Sequence, residues 1–147
     1  TSSGAPGWPN GIVGSISHKC GIVGALIGPL NPITSIGFDI EVVESLDESI
    51  WSVFATPEEV NYGARVGINK GVYANMLFSI KESLFKCLSP IYGLDTPHLS
   101  ECAIFVDLIN NQYVTEFSHL DTQCIVGAVA SSNLLLSWAL AYRMQRI

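Results

Sequence analysis

Asp39 and Glu41 are the first residues in this chain of 147 whose types and spacing suggest chemistry. They stand two apart in an otherwise apolar run, Ile36-Gly37-Phe38-Asp39-Ile40-Glu41-Val42. In an extended segment that spacing puts both carboxylates on one face. Like charges so placed repel, and burial in an apolar strand raises the cost. A hard divalent cation held by oxygen ligands offsets that cost. The pair alone equally allows an edge strand with a solvated acidic face.

Glu82 and Lys86 form a second group, with Lys81 beside them. On a helix, positions i and i+4 lie on one side. By spacing alone they read as a surface ion pair, which contributes little. The alternative gives Glu82 to the metal as a third carboxylate and Lys86 to phosphate oxygens. Lys81 has no firm role in either reading. Ser15, Ser17 and His18 make a third group, hydroxyls and an imidazole at the end of a short strand. They suit phosphate binding. A nucleophilic hydrolase would want a Gly-x-Ser-x-Gly elbow, and the sequence has none. His98 and His119 lack paired spacing and read as loop histidines.

The elements that must position these groups can be outlined. Residues 11–17, 21–28 and 35–43 read as strands. The last has Ile36, Phe38, Ile40 and Val42 on one face and the two acids on the other. Residues 47–54 suggest a short helix. Thr56-Pro57-Glu58-Glu59 is a helix start, with Thr56 as N-cap, Pro57 in the first turn and Glu59 closing a capping box. Residues 70–88 carry apolar positions spaced by threes and fours, the pattern of a long helix. Residues 101–109 and 112–118, joined by Asn110-Asn111, read as a hairpin. A second strand pair covers 124–130 and 134–142. Strands, then helices, then strands predict an α+β fold, an antiparallel sheet packed on a long helix.

Composition narrows the function classes. Seven basic and thirteen acidic residues give a net charge of −6, with no basic block, so a nucleic-acid footprint is not expected. Only 14% of residues are charged and 48% are hydrophobic, which predicts a packed core plus a surface that meets something else. The four cysteines, at 20, 87, 102 and 124, show no metal-ligand spacing. They predict reduced, largely buried thiols in a cytoplasmic protein. Residues 124–142 carry no charge. However, Ser131-Ser132-Asn133 breaks the run at its middle, so two strands and a polar turn are expected there in place of a transmembrane segment.

In order along the chain, Trp8-Pro9, Gly14-Ser15-Ile16-Ser17-His18, Gly37-Phe38-Asp39-Ile40-Glu41 and Phe78-Ser79-Ile80-Lys81-Glu82-Ser83-Leu84-Phe85-Lys86 resemble the motifs of the 4′-phosphopantetheinyl transferase superfamily. Phe38 stands where the family pattern has a β-branched residue. Trp8-Pro9, Phe78 and the Thr56-Pro57 helix start are similar to the siderophore-synthetase (enterobactin-type) branch. The resemblance implies transfer of 4′-phosphopantetheine from coenzyme A to a serine of an apo carrier protein, with release of 3′,5′-ADP. It implies Mg²⁺ held by Asp39, Glu41 and Glu82, and Glu82 as the group that takes the serine proton. It further implies Lys86 on the phosphates, and Ser17 and His18 at the phosphate-bearing adenosine end of the coenzyme.

The single-chain members of that family are two similar lobes with the site between them. The resemblance therefore implies that residues 1–10 are a loop or cut linker and residues 11–147 a C-terminal lobe. An absent N-terminal lobe would leave an apolar interface that drives self-association. The alternatives to an active enzyme are an inactive or non-catalytic lobe that binds a carrier protein or oligomerises, and an acidic α+β protein with an incidental Mg²⁺ site.

Overall fold

A computed structural model describes residues 6–65, 67, 69–107, 112–116, 122–131 and 133–142. A hairpin comes first, β1 (Ile12–Lys19) and β2 (Ile22–Pro29), followed by β3 (Ile33–Val42). A 3₁₀ turn over Glu48–Val53 leads to α1 (Pro57–Arg65) and α2 (Lys70–Tyr92). Two further antiparallel pairs close the chain, β4 (Ala103–Asp107) with β5 (Gln112–Glu116) and β6 (Gln123–Ser131) with β7 (Leu134–Tyr142).

The central sheet has the order β3-β7-β6, all antiparallel. The α+β architecture is the one the element order predicts. The uncharged run is two paired strands, and no helix among the described residues is long and apolar enough to cross a membrane. The Asn110-Asn111 turn and His119 lie outside the described residues.

Local signals explain the helices. Asp47 caps the 3₁₀ turn by accepting from Ser49 N at 2.8 Å. The capping box forms at α1: Glu59 N donates to Thr56 Oγ1 at 3.2 Å, and Thr56 N donates to Glu59 Oε2 at 2.7 Å. Asn69 caps α2 by accepting from Val72 N. That helix runs past the predicted end at 88 to Tyr92, passing through Pro90 and stopping at Gly93, where φ is 60°. Pro90 forgoes one ladder bond close to the C-terminus, where the helix has little left to lose.

One face of the central sheet packs on α2. Leu77, Ile80, Leu84 and Leu88 of the helix meet Val126, Ala139 and Ala141 in a continuous buried core. Strand and helix approach very closely at Gly37 of β3, where an added Cβ would lie 1.6 Å from the Ser83 carbonyl oxygen. Only glycine lets strand and helix touch backbone to backbone there. The other face of β3 turns Ile36 and Ile40 under the β1–β2 ribbon, where Gly24 leaves room for Ile40 and Phe38.

Candidate functional site

The Gly37 contact sets β3 against the middle of α2, two residues before Asp39. On the helix, Ser79, Glu82 and Lys86 are spaced i, i+3, i+7 and form one stripe. Both ends of that stripe bond Asp39. Ser79 Oγ donates to Asp39 Oδ2 at 2.9 Å, and Lys86 Nζ donates to Asp39 Oδ1 at 2.7 Å. Asp39 is buried, with 4% of its surface exposed, so these bonds offset the desolvation of its charge.

Strand β1 supplies the third side. Ser17 Oγ donates to Asp39 Oδ1 at 3.0 Å and accepts from Ile40 N at 3.2 Å and Lys86 Nζ at 3.3 Å. One donor and two acceptor positions are thereby used, the full capacity of a hydroxyl. Lys86 spends its remaining proton on the Phe38 carbonyl at 3.3 Å. One turn of strand further on, Lys19 of β1 pairs with Glu41 at 2.6 Å, and this contact holds the Lys19 ammonium above its usual range.

Glu82 is different. It is half-buried, and its carboxylate makes no hydrogen bond or ion pair among the described residues. Burial pushes its carboxyl up. Asp39 pushes the same way, Lys86 opposes, and Glu41 adds a smaller push. Three carboxylates thus feel one another's charge, and two lysines answer them. Among the described residues no three His, Cys, Asp or Glu side chains converge into a ready-made metal cage. Asp39 and Glu41 are each held by a lysine instead. The donor set itself fits a hard divalent cation: it is all oxygen, carries an excess of negative charge, and its least satisfied member is the carboxylate of Glu82.

The structure brings together Ser17, Asp39 and Lys86, with Glu82 and Glu41 at the margins of the cluster. It does not bring His18 there. Successive strand residues face opposite sides, so Ser17 points inward and His18 lies exposed on the outer face of the ribbon, opposite Val23. The reading of Glu82 and Lys86 as a simple surface pair does not hold, because Lys86 reaches across to β3. Two residues escape the sequence reading. Ser79 is the helix-side donor to Asp39. Ser137 of β7 sits in register opposite Asp39, donates to the Ser79 carbonyl at 2.7 Å and lies 2.9 Å from Ser79 Oγ. The signals for Ser79 are its place within the Phe78–Lys86 motif and its position three residues before Glu82 on the same stripe.

Lys81, which had no assigned role, faces another way. Its ammonium is fully buried and donates to Glu59 Oε2 at 2.6 Å, the Phe54 carbonyl at 2.6 Å and the Leu99 carbonyl at 3.0 Å. Glu59 Oε1 accepts from Ile104 N at 2.7 Å. All three protons of the lysine are used.

Comparison with known proteins places these features. Residues 35–141 match the family described as the 4′-phosphopantetheinyl transferase superfamily, and residues 1–28 match that described as the 4′-phosphopantetheinyl transferase N-terminal domain. The chain is 34% identical over 94 residues to the 4′-phosphopantetheinyl transferase Svp of Streptomyces mobaraensis, covering 63% of this chain and 38% of that protein. It is 29% identical over 101 residues to the 4′-phosphopantetheinyl transferase PptT of Mycobacterium tuberculosis, covering 66% of this chain and 44% of that one. The match thus spans less than half the length of these curated relatives. Among solved structures, the Chronobacterium ammoniagenes ACPS-CoA complex superposes with a TM-score of 0.57 at 13% identity, over 75% of this chain and 97% of that one, a likeness of fold. With the motif residues converging at Asp39 and the family match covering β3 to β7, the chain belongs to the 4′-phosphopantetheinyl transferase superfamily.

Proposed function

We propose that this chain carries the catalytic residues for Mg²⁺-dependent transfer of 4′-phosphopantetheine from coenzyme A to a serine of an apo carrier protein, releasing 3′,5′-ADP. The observation that carries the reading is the cluster at Asp39. Two strands and a helix converge there on an excess of carboxylates, one of them unpartnered, with a lysine between them. Asp39, Glu41 and Glu82 would hold Mg²⁺, which when bound supplies charge neutralisation at the pyrophosphate.

The chain's own residues do the rest. Glu82, whose carboxyl is already pushed up, accepts the proton of the carrier serine hydroxyl. Lys86, with 31% of its side chain exposed, exchanges its contact with Asp39 for phosphate oxygens and stabilises the leaving group. Ser17 orients that ammonium. His18, exposed on the ribbon's outer face, is open to the adenosine end of the coenzyme.

The reading also includes self-association. Its support is the second face of the central sheet. An open cleft of about 300 Å³ lies there, lined by Leu26, Ile36, Phe38, Val129, Trp138 and Leu140, with Ile125 exposed beside it. Trp8-Pro9 and Phe78 support the siderophore-synthetase branch. Four free thiols suit the reducing cytoplasm.

The test is mass spectrometry of an apo carrier protein after incubation with the chain, coenzyme A and Mg²⁺. A gain of one phosphopantetheine arm, lost in Asp39→Ala and Glu82→Ala, is expected. No transfer, even with an N-terminal domain from a relative supplied, overturns the reading.

A further inference from the structure

We infer that Lys81 and Glu59 are positioning residues, which fix the rotation of α2 so that the Ser79–Glu82–Lys86 stripe faces Asp39. The inference rests on the reading of that stripe as the reactive one. Lys81 precedes Glu82, so it points about 100° round the helix from it. Its three bonds run to three separate pieces of chain: Glu59 of α1, the Phe54 carbonyl after the 3₁₀ turn, and the Leu99 carbonyl before β4. Glu59 is itself fixed by Thr56 N and by Ile104 N of β4. Both side chains are fully buried.

Such a knot resists rotation more than an apolar contact does. At a side-chain radius of about 5–6 Å, a helix rotation of about 20° moves a side-chain tip by roughly 2 Å. Hydrogen bonds of 2.6 Å do not survive that displacement, whereas methyl groups slide past one another. The same rotation would carry Glu82 and Lys86 away from Asp39. A buried ion pair is often no better for stability than an apolar pair of equal volume, and the directionality of its bonds is what the charges add here. Lys81 and Glu59 touch neither Asp39 nor Lys86. They act through the backbone of α2.

The experiment replaces the pair together, Glu59→Leu with Lys81→Met, so that no lone charge stays buried. Circular dichroism and thermal melting establish that the variant folds. ¹⁵N NMR of the lysine ammonium groups then reads Lys86 directly, because an ammonium held by a buried carboxylate exchanges slowly enough to be seen. The parent protein is expected to show that signal, and a parent without it overturns the proposal. In the folded double variant the Lys86 signal is expected to vanish. The kcat for arm transfer should fall roughly tenfold to a hundredfold, with KM for coenzyme A within about threefold of the parent. An unchanged Lys86 signal, or a retained kcat, overturns the proposal. If the double variant does not fold, Glu59→Gln, which keeps the side-chain shape, is read by the same NMR signal and the same criterion. A parent that transfers no arm defeats the functional reading instead, and the NMR measurement still decides whether the pair positions the stripe.

Discussion

Two lysines five residues apart on α2 meet opposite surroundings. Lys81 sits in a closed and balanced knot, one ammonium against one carboxylate, with each proton matched and no exposed surface. Lys86 sits in an open and acid-rich cluster, where it and Lys19 face Asp39, Glu41 and Glu82. The first arrangement has nothing left to bind. The second has an unpartnered carboxylate and a lysine with 31% of its side chain in solvent. A charged cluster that is neutral and sealed has spent its bonding capacity within the fold, while one left unbalanced and accessible is equipped to receive a charged ligand.

The sharpest way to break this contrast is to remove one partner from the closed side. Lys81→Met leaves Glu59 buried without its counter-charge, and unfolding in denaturant should show a loss of about 3–5 kcal/mol. Lys86→Met should cost much less, because the site is partly open to water and Asp39 keeps its bonds from Ser17 and Ser79. Equal losses would mean that the two clusters are energetically alike.

Gly37→Ala tests the contact that sets the open cluster in place. Its Cβ would fall 1.6 Å from the Ser83 carbonyl oxygen and 2.7 Å from Cys87 N, both backbone atoms. Strand and helix must separate, at a cost of about 1–3 kcal/mol or more. Separation breaks the Asp39 contacts first and leaves the knot on the far side of α2 intact. Urea melts give the stability loss, and the lysine ammonium signals should show Lys86 perturbed and Lys81 retained.

These two clusters were legible to different degrees. The alternation of Ile36, Phe38 and Ile40 with Asp39 and Glu41, and the threes and fours of α2, are local patterns, and they gave the strand, the helix and the shared face of the acids. The capping box at Thr56–Glu59 was equally local. What the capping reading missed is that Glu59 has further acceptor capacity, and Lys81 and Ile104 N use it. Their pairing depends on how α1, α2 and β4 pack, which no short spacing encodes. Ser137 was hidden for the same reason. Its register opposite Asp39 joins strands almost a hundred residues apart, β3 and β7. His18 shows the converse: a motif neighbour of Ser17 in sequence points to the other side because strand residues alternate.

Glu82→Gln sharpens the comparison from the open side. Burial and two like charges push its carboxyl up, so the ionised form opposes folding. A carboxyl with a raised folded-state pKa costs stability above that pKa, and the cost fades as pH falls toward the unfolded value. At neutral pH the variant should match or exceed the parent, by a few tenths to about 1 kcal/mol, and the difference should close in acid. Arm transfer should be lost throughout. A clear destabilisation at neutral pH would show that Glu82 is a structural group like Glu59.

Lys19→Met gives the smallest effect and bears on what the open cluster is for. Lys19 has 37% of its side chain exposed and holds Glu41 at 2.6 Å, a pair of the kind that contributes roughly 0.2–1 kcal/mol. Its ammonium is held above the usual range by Glu41, so the contribution is present at neutral pH. It is lost as pH rises through the raised value, and parent and variant should converge in strong base. The informative measurement is Mg²⁺ titration by calorimetry. Freed of its lysine, Glu41 adds uncompensated negative charge beside Asp39 and Glu82, and affinity for the cation should rise. A fall in affinity would mean that Lys19 organises the site and does not merely balance it, which would move Glu41 to the closed side of the comparison.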